Sequence, residues 1–197
     1  MTHSSTVLIV EDEKNLADLF GIWLQEQFEV HVAYAGEDAL EIFAEESIDI
    51  VLLDRRMPGL SGTEVLQSIR EGGDAQQVIM VTAVQPTEDL ASIDVDDYLL
   101  KPIDRTKLLR AVEAAELILT YEDSLTELLS LTARKATLEA NLDKTELEKD
   151  DRYGDLLQRI RELEEEADTT LQRLETDYQI DMLVRDQRIG SQPVEQF

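Results

Sequence analysis

The chain has 197 residues and a formal net charge of −26, from 44 Asp+Glu against 18 Lys+Arg. The length suits one full domain plus a smaller module, and a 43% hydrophobic share is enough for a core. The acidity argues against a general nucleic-acid binder and against docking on anionic lipid, both of which need a basic face; the lack of Cys excludes disulfides, thiol catalysis and Cys-ligated metals.

The N-terminus, MTHSSTVLIVEDE, has neither the basic region nor the cleavage site of a secretory signal. No apolar run approaches the roughly 20 residues of a membrane span, so a cytoplasmic protein is expected. Short β-branched runs at Thr6–Val10, Glu29–Ala33, Ile48–Leu53, Val78–Thr82 and Asp97–Leu100 read as strands. The first, third and fourth are almost wholly apolar, the pattern of parallel strands buried on both faces.

Helical spacing fills the gaps. Leu16, Leu19, Phe20, Trp23 and Leu24 share one face of a helix through about Gln27. Trp23 is read as core packing on that stripe, and His31, alone within a strand, as having no functional role. His3 lies too far from His31 in sequence for a His-rich metal site. Ala39, Leu40, Ile42 and Phe43 mark a second helix. Val65, Leu66 and Ile69 mark a third, closed by Gly72-Gly73. A fourth must lie in Ala83–Asp96, opened by Pro86, with Leu90 and Ile93 as its anchors. Asp104 then caps a helix carrying Leu108, Leu109, Val112, Ala115 and Leu119. Strands alternating with helices predict an α/β fold with a doubly wound five-stranded parallel sheet over residues 1–120.

Strand signals vanish beyond residue 120. Residues 121–189 read as an all-α helical hairpin or coiled-coil tail, and 190–197 as a frayed terminus. Leu125, Leu128, Leu129 and Thr132 line one face, continued by Leu138 and Leu142. Tyr153, Leu156, Ile160, Leu163 and Ala167 form a heptad-like seam. The spacing predicts a phase slip near Thr170, where Leu171, Leu174 and Tyr178 take over. A lone helix cannot bury such a seam, so pairing within the chain or with a second copy is required.

The chemistry-bearing residues fall where strands end: Glu11-Asp12, Asp54, Thr82 and Lys101-Pro102. In a doubly wound sheet these strand ends share one edge. Clustered carboxylates repel one another, so a hard divalent cation such as Mg²⁺ is expected. An ammonium and a hydroxyl opposite them suit phosphoryl oxygens. The set is suited to placing a phosphoryl group on a carboxylate. Taken singly, each residue also has an ordinary reading as a turn, a helix start or a core side chain.

VLIVEDE, LLDRRMPG, VTA and DDYLLKP, in that order over about residues 5–120, resemble the four signatures of the receiver domain of two-component response regulators. The resemblance implies a flavodoxin-like sheet of order 2-1-3-4-5. It implies Asp54 as the phospho-acceptor, loaded by a histidine kinase. Glu11, Asp12, Asp54 and the backbone carbonyl of Arg56 would be the Mg²⁺ ligands. Thr82 and Tyr98 would be switch residues, Lys101 the phosphate-pairing lysine, and the Lys101–Pro102 peptide would be cis. Thr82 and Lys101 stand only 19 positions apart, shorter than in a typical receiver, so the family's usual dimer geometry is not carried over to this chain.

Tyr121–Asp181 resembles the HalX domain found after receivers in halophilic archaea, through YEDSLTELLSLTARKATLEA and ELEKDDRYGDLLQRIRELEEE. An acid-rich chain with only six Lys fits high salt. The function expected is a phosphorelay response regulator whose tail relays to a protein partner or a homodimer. The alternative is a DNA-binding transcriptional regulator under the same receiver; the tail's ten bases among twenty acids disfavour it. Enzymatic activity beyond phosphorylation and slow dephosphorylation of its own Asp is not expected. A phosphatase of the aspartyl-phosphate type would need a second Asp close after the nucleophile, and Arg56 stands there.

Overall fold

The computed structural model describes residues 5–72, 76–83, 94–147 and 149–189, with side chains except at 146 and 177–189. The helix expected after Ala83, with Pro86, Leu90 and Ile93, lies outside the described residues, as do Gly73, His3 and the terminus from residue 190. By internal packing the chain divides into two compact units, Met1–Glu116 and Leu117–Phe197.

The first unit contains strands β1 (Thr6–Val10), β2 (Glu29–Ala33), β3 (Ile50–Asp54), β4 (Gln77–Thr82) and β5 (Asp97–Leu100). They form one parallel five-stranded sheet of order β2-β1-β3-β4-β5. Between them run α1 (Lys14–Leu24), α2 (Gly36–Glu45) and α3 (Gly62–Glu71). The nearly continuous apolar runs of β1, β3 and β4 follow from burial on both faces. On one face Leu8, Val10, Val51, Leu53, Val78 and Met80 join Ala39 of α2 and Val65, Leu66 and Ile69 of α3 in one core cluster. Val7, Ile9, Ile50, Leu52, Ile79 and Val81 alternate onto the other face and are equally buried.

The structure departs from the sequence expectation at β3 and at α1. The third strand begins at Ile50 rather than Ile48 and includes Asp54, which pairs with Val81. Helix α1 ends at Leu24, and its buried residues are Ala17, Phe20 and Leu24. Trp23 is only half-buried, tilted against Phe20 at 5.8 Å between ring centroids, and Leu19 is exposed. Ala17, Phe20 and Leu24 fill the space over the sheet, Leu16 and Trp23 flank it half-buried, and Leu19 faces outward.

Helix α4 (Arg105–Asn141) starts where Asp104 Oδ1 accepts from the Lys107 N–H at 2.9 Å, an N-terminal cap. The tail continues with α5 (Lys144–Leu147) and α6 (Asp151–Ile189). Within the second unit, the Tyr153 hydroxyl donates to Glu139 at 2.7 Å and Arg159 donates twice to Glu127. These pairings run in opposite chain directions, as in an antiparallel helical hairpin.

The seam of α6 keeps strict three-and-four spacing through Tyr153, Leu156, Ile160, Leu163, Ala167, Thr170 and Leu174. The expected slip near Thr170 does not occur: Thr170 is buried, and Leu171 is exposed. The hydroxyl of Thr170 donates to the Glu166 carbonyl at 2.9 Å, which satisfies it within its own helix and lets its methyl occupy a seam position. On α4 the half-buried face includes Tyr121, Leu125, Leu128, Leu131 and Leu138, whereas Leu129 and Thr132 on the same helix, and Leu142 just beyond it, are exposed.

Candidate phosphoryl-acceptor site

Parallel strands aligned in register deliver the ends of β1, β3, β4 and β5 to one edge. Glu11 follows β1 directly, and its N–H donates to the Ala33 carbonyl at 3.1 Å. Asp54 closes β3, and the Arg55 N–H continues the ladder onto Val81. Thr82 closes β4 beside Leu100, and the Lys101 N–H donates to the Thr82 carbonyl at 2.8 Å. The Lys101–Pro102 peptide is cis.

These backbone contacts gather the side chains. Carboxylate oxygens of Glu11, Asp12 and Asp54 all lie within 4.8 Å of one another. Lys101 Nζ donates to Asp54 Oδ2 and to Glu11 Oε2, each at 2.7 Å. The Arg56 N–H donates to Asp54 Oδ1 at 3.1 Å, so both oxygens of Asp54 have partners. Glu11, Asp54 and Thr82 are buried, while Asp12 is exposed at the rim. Tyr98, on β5, is half-buried against the core cluster.

Burial pushes the Glu11 carboxyl up to about 7; the hydrogen bond from Lys101 opposes this and the Asp54 charge adds to it. For Lys101, burial works against the charged form, but its bonds to Asp54 and Glu11 prevail and hold the ammonium above its ordinary value. Burial also raises the Tyr98 phenol, with the Arg55 guanidinium opposing.

The site depends on a residue that the sequence reading passed over. A Cβ on Gly62 would stand 2.0 Å from the Asp54 carbonyl oxygen, so only glycine lets α3 approach the end of β3. Gly62 also donates its N–H to the Arg55 carbonyl at 3.2 Å. Next to it, Ser61 caps α3: its hydroxyl accepts from the Glu64 N–H while Glu64 Oε2 accepts from the Ser61 N–H. The motif S-G-T-E was available as a capping box, but the close approach behind it has no signature in one sequence. Gly59, at φ +76°, turns the loop between Asp54 and this cap.

The family model described as the response regulator receiver domain matches residues 7–113. The chain belongs to the response regulator receiver family. A HalX domain follows the receiver, matched over residues 117–185. A predicted transcriptional regulator of Haloferax volcanii is 36% identical over 180 residues, covering 91% of this chain and 30% of the relative. The response regulator ArlR of Staphylococcus saprophyticus is 37% identical over 112 residues, covering 55% of this chain and 50% of the relative. The chain thus spans half or less of either curated relative.

Solved structures agree on the receiver fold. The chemotaxis protein CheY4 of Vibrio cholerae superposes with a TM-score of 0.55 at 23% identity, covering 57% of this chain and 98% of that one. The response regulator TrrA of Thermotoga maritima, solved in complex with Mg²⁺-BeF, has a TM-score of 0.51 at 36% identity over 55% of this chain and 96% of its own. Among the described residues, no helix is long and apolar enough to cross a membrane.

Proposed function

We propose that this chain is a phosphorylation-controlled switch, in which Asp54 accepts a phosphoryl group from a histidine kinase and the HalX tail passes the change to a protein partner or a second copy. The observation that carries this reading is the double hydrogen bond from Lys101 Nζ to Asp54 and Glu11, each at 2.7 Å. It holds a strand-end carboxylate beside an ammonium suited to phosphoryl oxygens.

Glu11, Asp12, Asp54 and the Arg56 carbonyl are the candidate Mg²⁺ ligands. Three carboxylate oxygens within 4.8 Å of one another fit a hard cation that keeps part of its water shell. Bound there, Mg²⁺ supplies charge neutralisation for the incoming phosphoryl group. An Asp54 oxygen forms the new O–P bond as the donor's P–N bond breaks, and the leaving imidazole keeps the electron pair and takes up a proton. Lys101 pairs with a phosphoryl oxygen, the Thr82 hydroxyl donates to another, and Tyr98 repacks as the switch residue. The domain division follows the same reading: receiver to about residue 120, HalX-like helices over 121–189. The expected setting is the cytoplasm, and the chain's own chemistry is confined to gaining and slowly losing this phosphoryl group.

A transcriptional output is a second reading, favoured by the name of the Haloferax relative. Most of that relative lies outside the match, so its DNA contacts need not reside in the shared segment. The acidic tail points the same way.

The test is thermal: Mg²⁺ with beryllofluoride raises the melting temperature of the wild type, and Asp54→Asn abolishes the beryllofluoride increment. An equal increment in both proteins overturns the site.

A further inference from the structure

Strand β5 is the shortest in the sheet and lies at its edge. None of its four residues is buried: Asp97, Tyr98 and Leu99 are half-buried and Leu100 is exposed. The register of a strand is ordinarily fixed by one apolar face that must point inward. Here Tyr98 and Leu99 are neighbours, both large and both half-buried, so a slip by one residue keeps a large side chain against the core cluster. Lys101, the residue after β5, nevertheless reaches Asp54 Oδ2 and Glu11 Oε2 at 2.7 Å each. One residue of slip moves it by about 3.3 Å and turns it to the opposite face. The register must be held from outside β5.

The hold lies at the far end of the strand from the site. Arg70, in the last turn of α3, donates from Nε to the Asp94 carbonyl at 3.2 Å, from Nη1 to the Gln76 carbonyl at 2.8 Å and from Nη2 to Asp96 Oδ2 at 2.6 Å. Asp96, immediately before β5, also takes both main-chain groups of Val78 on β4. Its Oδ2 accepts from the Val78 N–H at 2.6 Å, and its own N–H donates to the Val78 carbonyl at 3.0 Å. The next residues, Ile79 and Asp97, are the first partners of the β4–β5 pair, so Asp96 and Val78 set where the pairing begins. The guanidinium donors form a rigid planar fork, which admits few arrangements of three acceptors.

We propose that Arg70 is the register clamp of β5 and a positioning residue for Lys101. Helix α3 acts as the ruler. Its first residue, Gly62, donates its N–H to the Arg55 carbonyl, one residue after Asp54. Its Val65, Leu66 and Ile69 are buried in the core cluster, and its last turn carries Arg70. One helix is thus seated at the end of the strand that supplies Asp54 and at the entry to the strand that delivers Lys101. This role deepens the proposed function and, for the phosphoryl step, rests on it; the clamp itself consists of contacts made without any phosphoryl group.

The first test is amide hydrogen exchange by NMR on the full chain, free of Mg²⁺ and phosphoryl donor. Two protons are compared: the Lys101 N–H, which donates to the Thr82 carbonyl, and the Glu11 N–H, which donates to the Ala33 carbonyl at the other side of the sheet. Arg70→Met is expected to speed exchange at Lys101 roughly tenfold or more and to leave Glu11 unchanged. Equal acceleration at both protons, or none at Lys101, overturns the clamp, because a general loss of stability does not single out β5. Asp96→Asn keeps an acceptor for Val78 and loses the charge facing Arg70; it should act in the same direction, and it decides the matter if Arg70→Met does not fold.

Labelling by acetyl phosphate at saturating Mg²⁺ reads the consequence at the site. Arg70→Met should slow labelling roughly tenfold or more. Added to Lys101→Met, it should slow labelling no further, because the residue it positions is gone. Effects that multiply in the double variant overturn the positioning role. A wild type that takes no label removes the phosphoryl-acceptor reading, and the exchange rates at Lys101 and Glu11 then decide the clamp by themselves.

Discussion

Lys101 Nζ lies 2.7 Å from Asp54 Oδ2 and makes the same approach to Glu11 Oε2, so one ammonium bridges two buried carboxylates at the ends of separate strands. The side chain of Glu11 is only 3% exposed and that of Asp54 only 10%. Removing the ammonium leaves both carboxylates facing each other with little solvent.

Lys101→Met should therefore lower the melting temperature of the metal-free protein, by the equivalent of about 3 kcal/mol at pH 8. Mg²⁺ should recover more stability in the variant than in the wild type, because the ion takes over the lost positive charge. Calorimetry with and without Mg²⁺ reads both effects. Equal Mg²⁺ increments would contradict the arrangement.

Glu11 gives the metal-free fold a pH dependence with a defined sign. Its folded value of about 7 stands above the ordinary 4.5, so the folded state holds its proton more tightly than the unfolded state. That contribution is fully present below about pH 4.5 and is lost as pH rises through 7, on the order of 3 kcal/mol in all. Denaturant titrations in EDTA should show this carboxyl's contribution falling between pH 5 and pH 8, and Glu11→Gln should flatten that slope. A variant with the wild-type slope would show that Glu11 is not its source.

Gly62→Ala tests the close approach of α3 to β3. The new methyl must displace the Asp54 carbonyl, costing about 2 kcal/mol or more. It should also slow phosphoryl uptake by moving the acceptor, although Gly62 touches no substrate. Urea melts and labelling rates check the two effects; a variant that keeps both would place the strain elsewhere.

The tail seam is tested by a pair of leucines. Leu163 is 1% exposed and Leu171 is 41% exposed. Leu163→Ala should cost about 3 kcal/mol and Leu171→Ala well under 1 kcal/mol. The reverse order would restore the phase slip that the sequence suggested.

That slip shows where sequence reading stops. The sheet was legible because β1, β3 and β4 are short apolar runs closed by a polar residue, and the site was legible because most of its residues sit at those closures. The signatures around Asp54 and Lys101 therefore mark the cluster within the sequence itself. The tail is different: leucines are abundant on every face, and hydropathy ranks Leu129 and Leu171 level with or above Leu131 and Thr170. The structure chooses the latter pair, since Thr170 satisfies its hydroxyl within its own helix. Hydropathy scores a hydroxyl as polar whatever it bonds to. Gly62 was hidden for another reason. Its importance lies in what stands behind it, the Asp54 carbonyl, and one sequence does not record a missing Cβ as a constraint.

The central claim is that Asp54 is the phosphoryl acceptor. Intact-mass spectrometry with peptide mapping, after incubation with acetyl phosphate and Mg²⁺, tests it most directly. One phosphoryl group per chain is expected, located on Asp54, absent in EDTA and absent in Asp54→Asn. Undiminished labelling of Asp54→Asn, or labelling indifferent to Mg²⁺, would contradict it.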